Sequence, residues 1–316
     1  MKNKRSRHIR TIVYAVLLLS VMLLGFPGLS TSSAKDRNNR AVDWNDDHSG
    51  TGFMLQWKGM KFNTKYHAYH PSILGKHALD ALEYNESPPD GMDNYWFPQN
   101  VQIDPEKNEL QLVMRRFGPK WEGQPVWSCA EVVLEEKLYY GKYSITVNSY
   151  GTQATNDQPV DPDPWGALFE EQSVVLGIFT YDKNADPDFK NTYKEIDIVE
   201  IFGKAYSAPP NIGNAQFVVQ PYDGTPQNLT RITLLKPDSG LLTFEMDWKK
   251  DSVYYTVRDG NKIVARHRYT NTEYIPVPNE NMRLHINLWV FGGPWNAKPI
   301  RVGITDIQLE KHAPKL

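Results

Sequence analysis

The sequence predicts an all-β protein built as an antiparallel sandwich of two sheets, and three observations carry the prediction. Short strand-like segments follow one another at sandwich spacing: VQID, then ELQLVMRR after a Pro-Glu-Lys-Asn turn, then CAEVVL and YYGKYSITVNSY. Aromatic residues, common in strands, are plentiful, with nine Trp and seventeen Tyr in the chain. No helix-period segment of useful length interrupts the run, so a two-sheet sandwich is the economical architecture.

Taken in order, the chain opens on a strongly basic decapeptide, MKNKRSRHIR, followed by an uncharged stretch from Thr11 to Leu29 with a leucine-rich centre. That is the layout of a signal peptide, and Ser32-Ser33-Ala34 supplies the small residues for cleavage after Ala34. The alternative is an uncleaved anchor, because the apolar run is close to a bilayer-spanning length. No cysteine follows the run for lipid attachment. The expected organisation is a signal peptide over 1–34, a polar tail over 35–52 and one β-sandwich domain over 53–316. A secreted, extracellular protein without a stable membrane span in its mature chain is expected; an uncleaved signal would make it periplasmic or membrane-anchored.

Strand-like alternation begins at Phe53 and Trp57. Residues 71–84 read as a short helix or a decorated loop, and PPDG at 88–91 as a turn. After a Pro- and Asp-rich loop over 151–165 come SVVLGIFTY, EIDIVEIF, NAQFVVQPY, ITLL, LLTFEMDW, SVYYTVRDGNKIVARHRY, MRLHINLWVF and IRVGITDIQLEK, with a hairpin turn at Arg258-Asp259-Gly260-Asn261.

Composition excludes some partners. The formal charge is −2 and the mature part has no basic block, so nothing points to nucleic acid or a polyanion. A single cysteine, Cys129, leaves packing alone to hold an exported fold. A monomer is expected. The abundant Trp and Tyr serve either as core residues or as flat faces that stack on sugar rings.

The segment Glu195-Ile196-Asp197-Ile198-Val199-Glu200 gathers three acids. Alternation puts Glu195 and Asp197 on one face and Ile196 and Ile198 on the other. Residue 199 would continue the acidic face, yet the third acid is Glu200, which joins it only through a β-bulge. Two readings follow. The acids are either the solvated face of a half-buried strand or a glycosidase carboxylate pair with a third acid between them, the pair held roughly 5 to 5.5 Å apart as in retaining enzymes. On the second reading Glu195 is the nucleophile at the anomeric carbon. Glu200 protonates the departing oxygen and then activates water, and Asp197 shares a proton that helps keep Glu200 protonated.

The flanks resemble the family 16 glycoside hydrolases, the group of bacterial lichenases, laminarinases and agar- or carrageenan-degrading enzymes. Glu195 to Glu200 is similar to that family's Glu-x-Asp-x-x-Glu signature in the bulged form usual in laminarinase-like members. Asp90 to Asp104, Ser128-Cys129-Ala130-Glu131, Tyr140-Gly141-Lys142-Tyr143, Val174 to Tyr181, Asn214 to Phe217, Phe244 to Trp248 and Ile286-Asn287-Leu288-Trp289 resemble its other strands, in order, across most of residues 53 to 312. The resemblance implies a jelly-roll, concanavalin A-like sandwich with a concave sugar-binding cleft. It also implies endo-acting hydrolysis, with retention, of a β-linked polysaccharide that is β-1,3-glucan-like or galactan-like, with no required cofactor. Glu195, Asp197 and Glu200 take the nucleophile, assisting and acid/base roles. Asn94, Glu131, Gln216, Asn287 and Trp289 fall where family members contact substrate, and Tyr181 would face the cleft. Tyr193 stands where lichenases have Trp, Val133 where they have arginine and Val218 where a polar residue would meet sugar, which argues against the lichenase substrate.

Other candidates carry less. His67 and His70, three apart with no third ligand nearby, read as loop histidines rather than a metal site. Cys129 reads as a small buried hydrophobe. Many family members hold a structural calcium partly through the last strand, here Gly303-Ile304-Thr305-Asp306, and its presence stays open. Asn85 and Asn228 fit a glycosylation sequon. Trp165 is either a stacking platform at the cleft rim or part of a solvated connection. Two other functions compete: a non-catalytic sugar-binding sandwich and a transglycosylase sharing the covalent intermediate. Three clustered carboxylates bring no evident benefit to binding alone, which favours an enzyme.

Overall fold

A computed structural model describes residues 51–65, 67–68, 94–121, 124–152, 163–169, 174–184, 186–203, 213–221, 226–290 and 299–312. The expected signal peptide, nearly all of the expected tail, the 71–84 segment, the PPDG turn, His70 and Asn85 lie outside these residues.

The described chain is almost entirely strand. In order these are β1 (Thr51–Trp57), β2 (Met60–Lys65), β3 (His67–Ala68), β4 (Asn94–Trp96), β5 (Val101–Asp104) and β6 (Glu109–Trp121). Next come β7 (Gln124–Leu134), β8 (Gly141–Thr152), β9 (Val174–Tyr181), β10 (Ile196–Ile201), β11 (Ala215–Val219) and β12 (Leu229–Ile232). The last are β13 (Leu241–Trp248), β14 (Val253–Asp259), β15 (Lys262–Tyr269), β16 (Arg283–Val290) and β17 (Ile300–Lys311).

Pairing sorts all but β3 and β4 into two antiparallel layers; β3 pairs with β4, and β4 runs parallel to β7. The first runs β1-β2-β7-β16-β9-β10-β11-β12. The second runs β5-β6-β17-β8-β13-β14-β15. β6 also pairs with β7, linking the two layers. The expected sandwich is therefore what the chain forms.

Alternation explains why the layers pack. β13 buries every second residue, Leu242, Phe244, Met246 and Trp248, and turns Thr243, Glu245 and Asp247 outward. From the facing layer, Ile196, Ile198, Phe217, Ile286 and Leu288 enter the same apolar cluster. Phe217 of β11 stacks on Tyr255 of β14 with ring centroids 4.8 Å apart, and the Tyr255 hydroxyl donates to the Val218 carbonyl at 3.2 Å. The β14–β15 hairpin turns at Gly260, whose φ of +56° suits a residue without Cβ.

Burial corrects two readings of the sequence. Trp165 is no stacking platform: it is 2% exposed, stacked on Phe169, and its indole N–H donates to the Gly240 carbonyl. Asn228 is no accessible sequon: its amide is buried, donating to the Pro221 carbonyl and accepting from the Tyr269 hydroxyl. β1 begins at Thr51, two residues inside the stretch read as tail. Cys129 is fully buried. No helix among the described residues is long and apolar enough to cross a membrane.

Candidate active site

The three acids sit on β10 and the residue before it. β10 pairs with β9 and β11, and in both pairings the register shifts between Asp197 and Glu200. Asp197 lies opposite Phe179 and Val218, while Glu200 lies opposite Gly177 and Gln216. Directly opposed residues in an antiparallel pair share a face, and Gly177 and Phe179, like Gln216 and Val218, are two apart. The bulge thus returns Glu200 to the face of Asp197, and Ile198 and Val199 are fully buried.

Register builds the rest of that face. β16 sets Arg283, His285, Asn287 and Trp289 opposite Tyr181, Phe179, Gly177 and Val175 of β9. β7 adds Val133 opposite His285 and Glu131 opposite Asn287. β12 places Arg231 opposite Gln216. Val133, Val175, Phe179, Tyr181 and Val218 are buried yet stand outside the inter-sheet core cluster. They form an apolar floor around the acids.

Burial of the acids sets their protonation. Asp197 is 1% exposed. Burial raises its pKa well above the usual carboxylate range, the charges of Glu195 and Glu200 push the same way, and the Gln220 amide opposes them, donating to Oδ2 at 3.0 Å. Burial also pushes Glu195 up to about 8, helped by the charges of Glu200 and Glu131 and opposed by a hydrogen bond from Asp197. Glu200 is raised by burial and drawn back by the Gln216 amide and the Arg231 guanidinium. The Gln216 amide N–H donates to Glu200, and the guanidinium packs 4.4 Å from the Phe202 ring. Protonated Asp197 therefore donates to Glu195 and favours its ionised form. The hydrogen bond of Asp197 runs to Glu195, while Glu200 accepts from the Gln216 amide.

The other predicted residues divide. Gln216 and Asn287 both reach the face, flanking Glu200, and their side-chain carbonyl oxygens, Gln216 Oε1 and Asn287 Oδ1, are buried without a hydrogen-bond partner. Trp289 packs beside Trp96, centroids 6.5 Å apart. Glu131 is on the face but buried, accepting at 2.8 Å from His285 Nδ1. Tyr181 is also buried, covered by Tyr193, whose ring stacks on it at 5.2 Å and 9°, so Tyr193 presents the outer aromatic surface. Asn94 lies on β4, parallel to β7 and opposite Trp127; its side chain is not among the described ones.

Sequence reasoning missed His285, Gln220, Arg231 and Asn191. Parity alone would have found the first two, since His285 is two before Asn287 and Gln220 is four after Gln216. His285 packs 5.2 Å from Phe179 and 5.5 Å from Tyr181. Asp306, the calcium candidate, accepts from Gln308 and lies 3.7 Å from the Lys58 ammonium. No cluster of three metal-ligating side chains occurs among the described residues.

Gly177 shows how closely the face is built. A Cβ there would stand 2.6 Å from Asn287 Oδ1. Gly177→Ala is expected to push the Asn287 amide aside and lower kcat/KM about 3- to 10-fold, the value of one hydrogen bond, with little change in Tm. Steady-state kinetics and a melting curve check it.

Comparison with known proteins comes from sequence and from structure. No curated protein matches the sequence. A Bacillus licheniformis β-glucanase superposes with a TM-score of 0.46 at 18% identity, over 70% of this chain and 86% of that one. The laminarinase from Flavobacterium sp. UMI-01 gives 0.48 at 16% identity over 70% and 86%. The laminarinase from Rhodothermus marinus gives 0.48 at 14% identity over 86% and 97%. These superpositions are loose and carry no functional argument. The sequence match is more telling: residues 171–307, from just before β9 into β17 and so including all three acids, fit the profile of glycosyl hydrolases family 16. By that match residues 171–307, which hold all three acids, are similar to glycosyl hydrolases family 16.

Proposed function

We propose that the protein is a secreted, retaining endo-glycoside hydrolase acting on a β-linked polysaccharide, β-1,3-glucan-like or galactan-like. The observation that carries the reading is the trio itself: three carboxyls on one sheet face, with Asp197 donating to Glu195 and Glu200 held apart by Gln216. Glu195 attacks the anomeric carbon in its ionised form, which the bond from Asp197 favours against the burial that raises its pKa, while Glu200 protonates the departing oxygen. Glu200 then deprotonates the water that releases the sugar. The buried apolar floor supports this by strengthening electrostatics at the reacting centre. The flat outer ring of Tyr193 and the Trp289–Trp96 pair suit stacking on pyranose faces.

The test is a panel of laminarin, mixed-linkage β-glucan, agarose, porphyran, carrageenan and galactan assayed for reducing ends, with product anomers followed by NMR. Early internal chain cuts and retained β configuration are expected on at least one member. Binding without any release of sugar would assign the non-catalytic reading, and chain lengthening would assign transfer. Expressed with its own leader, the protein is expected in the culture fluid with Lys35 as its first residue; a cell-bound, uncut chain would assign the anchor.

A further inference from the structure

The Glu195 carboxyl acts from an unusual place. β10 begins only at Ile196, so Glu195 lies just beyond the regular β9–β10 ladder, and it follows Lys194, whose φ is +54°. A side chain in the left-handed region is held there only when its surroundings over-determine it. Three sets of interactions do so here.

The first is Asn191, which is 1% exposed. Its Oδ1 accepts the Glu195 backbone N–H at 2.8 Å, and its Nδ2 donates to the Glu195 carbonyl at 2.8 Å and to the Tyr274 carbonyl at 3.2 Å. One amide side chain thus grips both backbone groups of Glu195; the Gln220 N–H, just past β11, adds a second bond to the carbonyl at 3.2 Å, whereas the Glu195 N–H is held by Asn191. The second is Thr180, whose hydroxyl donates to the Lys194 carbonyl at 3.1 Å and accepts the Ile196 N–H at 3.0 Å. The third is the Lys194 side chain, drawn inward to Asp182 at 3.5 Å and Asp186 at 3.4 Å, with Asn279 also donating to Asp182.

From this geometry we infer that Asn191 is the positioning residue of the Glu195 carboxyl, its side chain holding both backbone groups just beyond the end of the regular ladder and fixing the peptide from which the nucleophile projects. The bonds to Glu195 N–H and C=O define the plane of both peptides flanking its Cα, and so the direction of its Cα–Cβ bond. Without Asn191 the Glu195 N–H loses its acceptor and the carbonyl keeps the Gln220 N–H, which loosens that direction. Reaction needs the attacking oxygen within a narrow range of distance and angle, so a small rotation at Glu195 is costly in rate while leaving sugar binding intact.

The inference rests on the hydrolase reading, and its test separates the two. Asn191→Ala and Asn191→Asp are assayed on the polysaccharide the wild type cleaves. Phe244→Leu, a core change on the second layer far from this loop, serves as the control for lost stability. Asn191→Ala is expected to lower kcat about 10- to 100-fold with KM within about threefold of wild type, while Phe244→Leu keeps its kcat well below its Tm. Asn191→Asp still accepts the Glu195 N–H but, as a carboxylate, donates nothing to the carbonyl. It adds a negative charge and is expected to move the acidic limb of the pH profile upward.

Titration of the Glu195 carboxyl by carbon NMR, assigned with Glu195→Gln, gives a readout that needs no turnover; a displaced titration in Asn191→Ala is expected. A wild type inert on every polysaccharide together with a displaced titration would sink the hydrolase reading alone. A kcat within twofold of wild type and an unmoved titration in Asn191→Ala would overturn the positioning role, as would an equal loss of kcat in Phe244→Leu.

Discussion

Glu195→Gln is expected to lower kcat by about 10⁴-fold or more, because an amide cannot form the glycosyl ester on which the proposed two-step reaction depends. The loss is expected in the chemical step alone. The substituted chain keeps the backbone grip of Asn191 and presents no new charge, so the fold and the affinity for polysaccharide are retained, which calorimetry on an unreactive complex would measure. The mate of this variant is Glu195→Ala in sodium azide. The vacated space admits a small anion, and a glycosyl azide of inverted configuration is expected as product. Turnover of Glu195→Gln within tenfold of wild type would remove Glu195 from the role of nucleophile.

Asp197→Asn is expected to have opposite effects on stability and on rate. Burial raises the Asp197 pKa in the folded protein well above its ordinary value. At pH values between the unfolded pKa of about 4 and the folded one, the folded chain holds a proton that the unfolded chain has released. The slope of unfolding free energy with pH follows protons bound in the unfolded state minus those in the folded state, so here it is negative. Stability supplied by this group is thus fully present below pH 4 and declines as pH rises through the folded pKa. Asparagine does not titrate, and its amide still donates to Glu195 and accepts from Gln220. Asp197→Asn is therefore expected to melt with the wild type at pH 4 and above it at pH 8, by about 1–2 kcal/mol or roughly 2–8 °C. Its kcat is expected to fall about 10²- to 10³-fold, since the amide proton cannot be shared as Glu195 gains and loses charge. Equal melting temperatures at pH 8 would contradict the burial argument; undiminished kcat would contradict the assisting role.

The legible and illegible parts of the site differ in kind. The off-parity position of Glu200 announced a bulge, because side-chain direction in a strand depends on local count alone. The same count was available for His285 beside Asn287 and for Gln220 beyond Gln216. Asn191 carried no such signal: it lies in a loop whose path is set by contacts to Tyr274 and to the Asp182–Lys194 pair, all of them between separate segments. Trp165 and Asn228 misled for the same reason. An indole and an amide look alike in sequence whether a distant carbonyl or hydroxyl buries them or solvent surrounds them.

The sequence by itself determined that the chain is an antiparallel β-sandwich, where most of its strands run, and that the three acids fall within one short segment, since alternation, turn residues and strand length are properties of neighbouring residues. Only the tertiary structure decided that Gln216 holds Glu200, that Tyr193 rather than Tyr181 presents the outer ring, and that Glu131 is held by His285. Those outcomes depend on burial and on distances between residues far apart in the chain. Burial is also what turns three acids into a site: it raises the cost of their charges, and the hydrogen bonds from Asp197 to Glu195 and from Gln216 to Glu200 offset part of that cost.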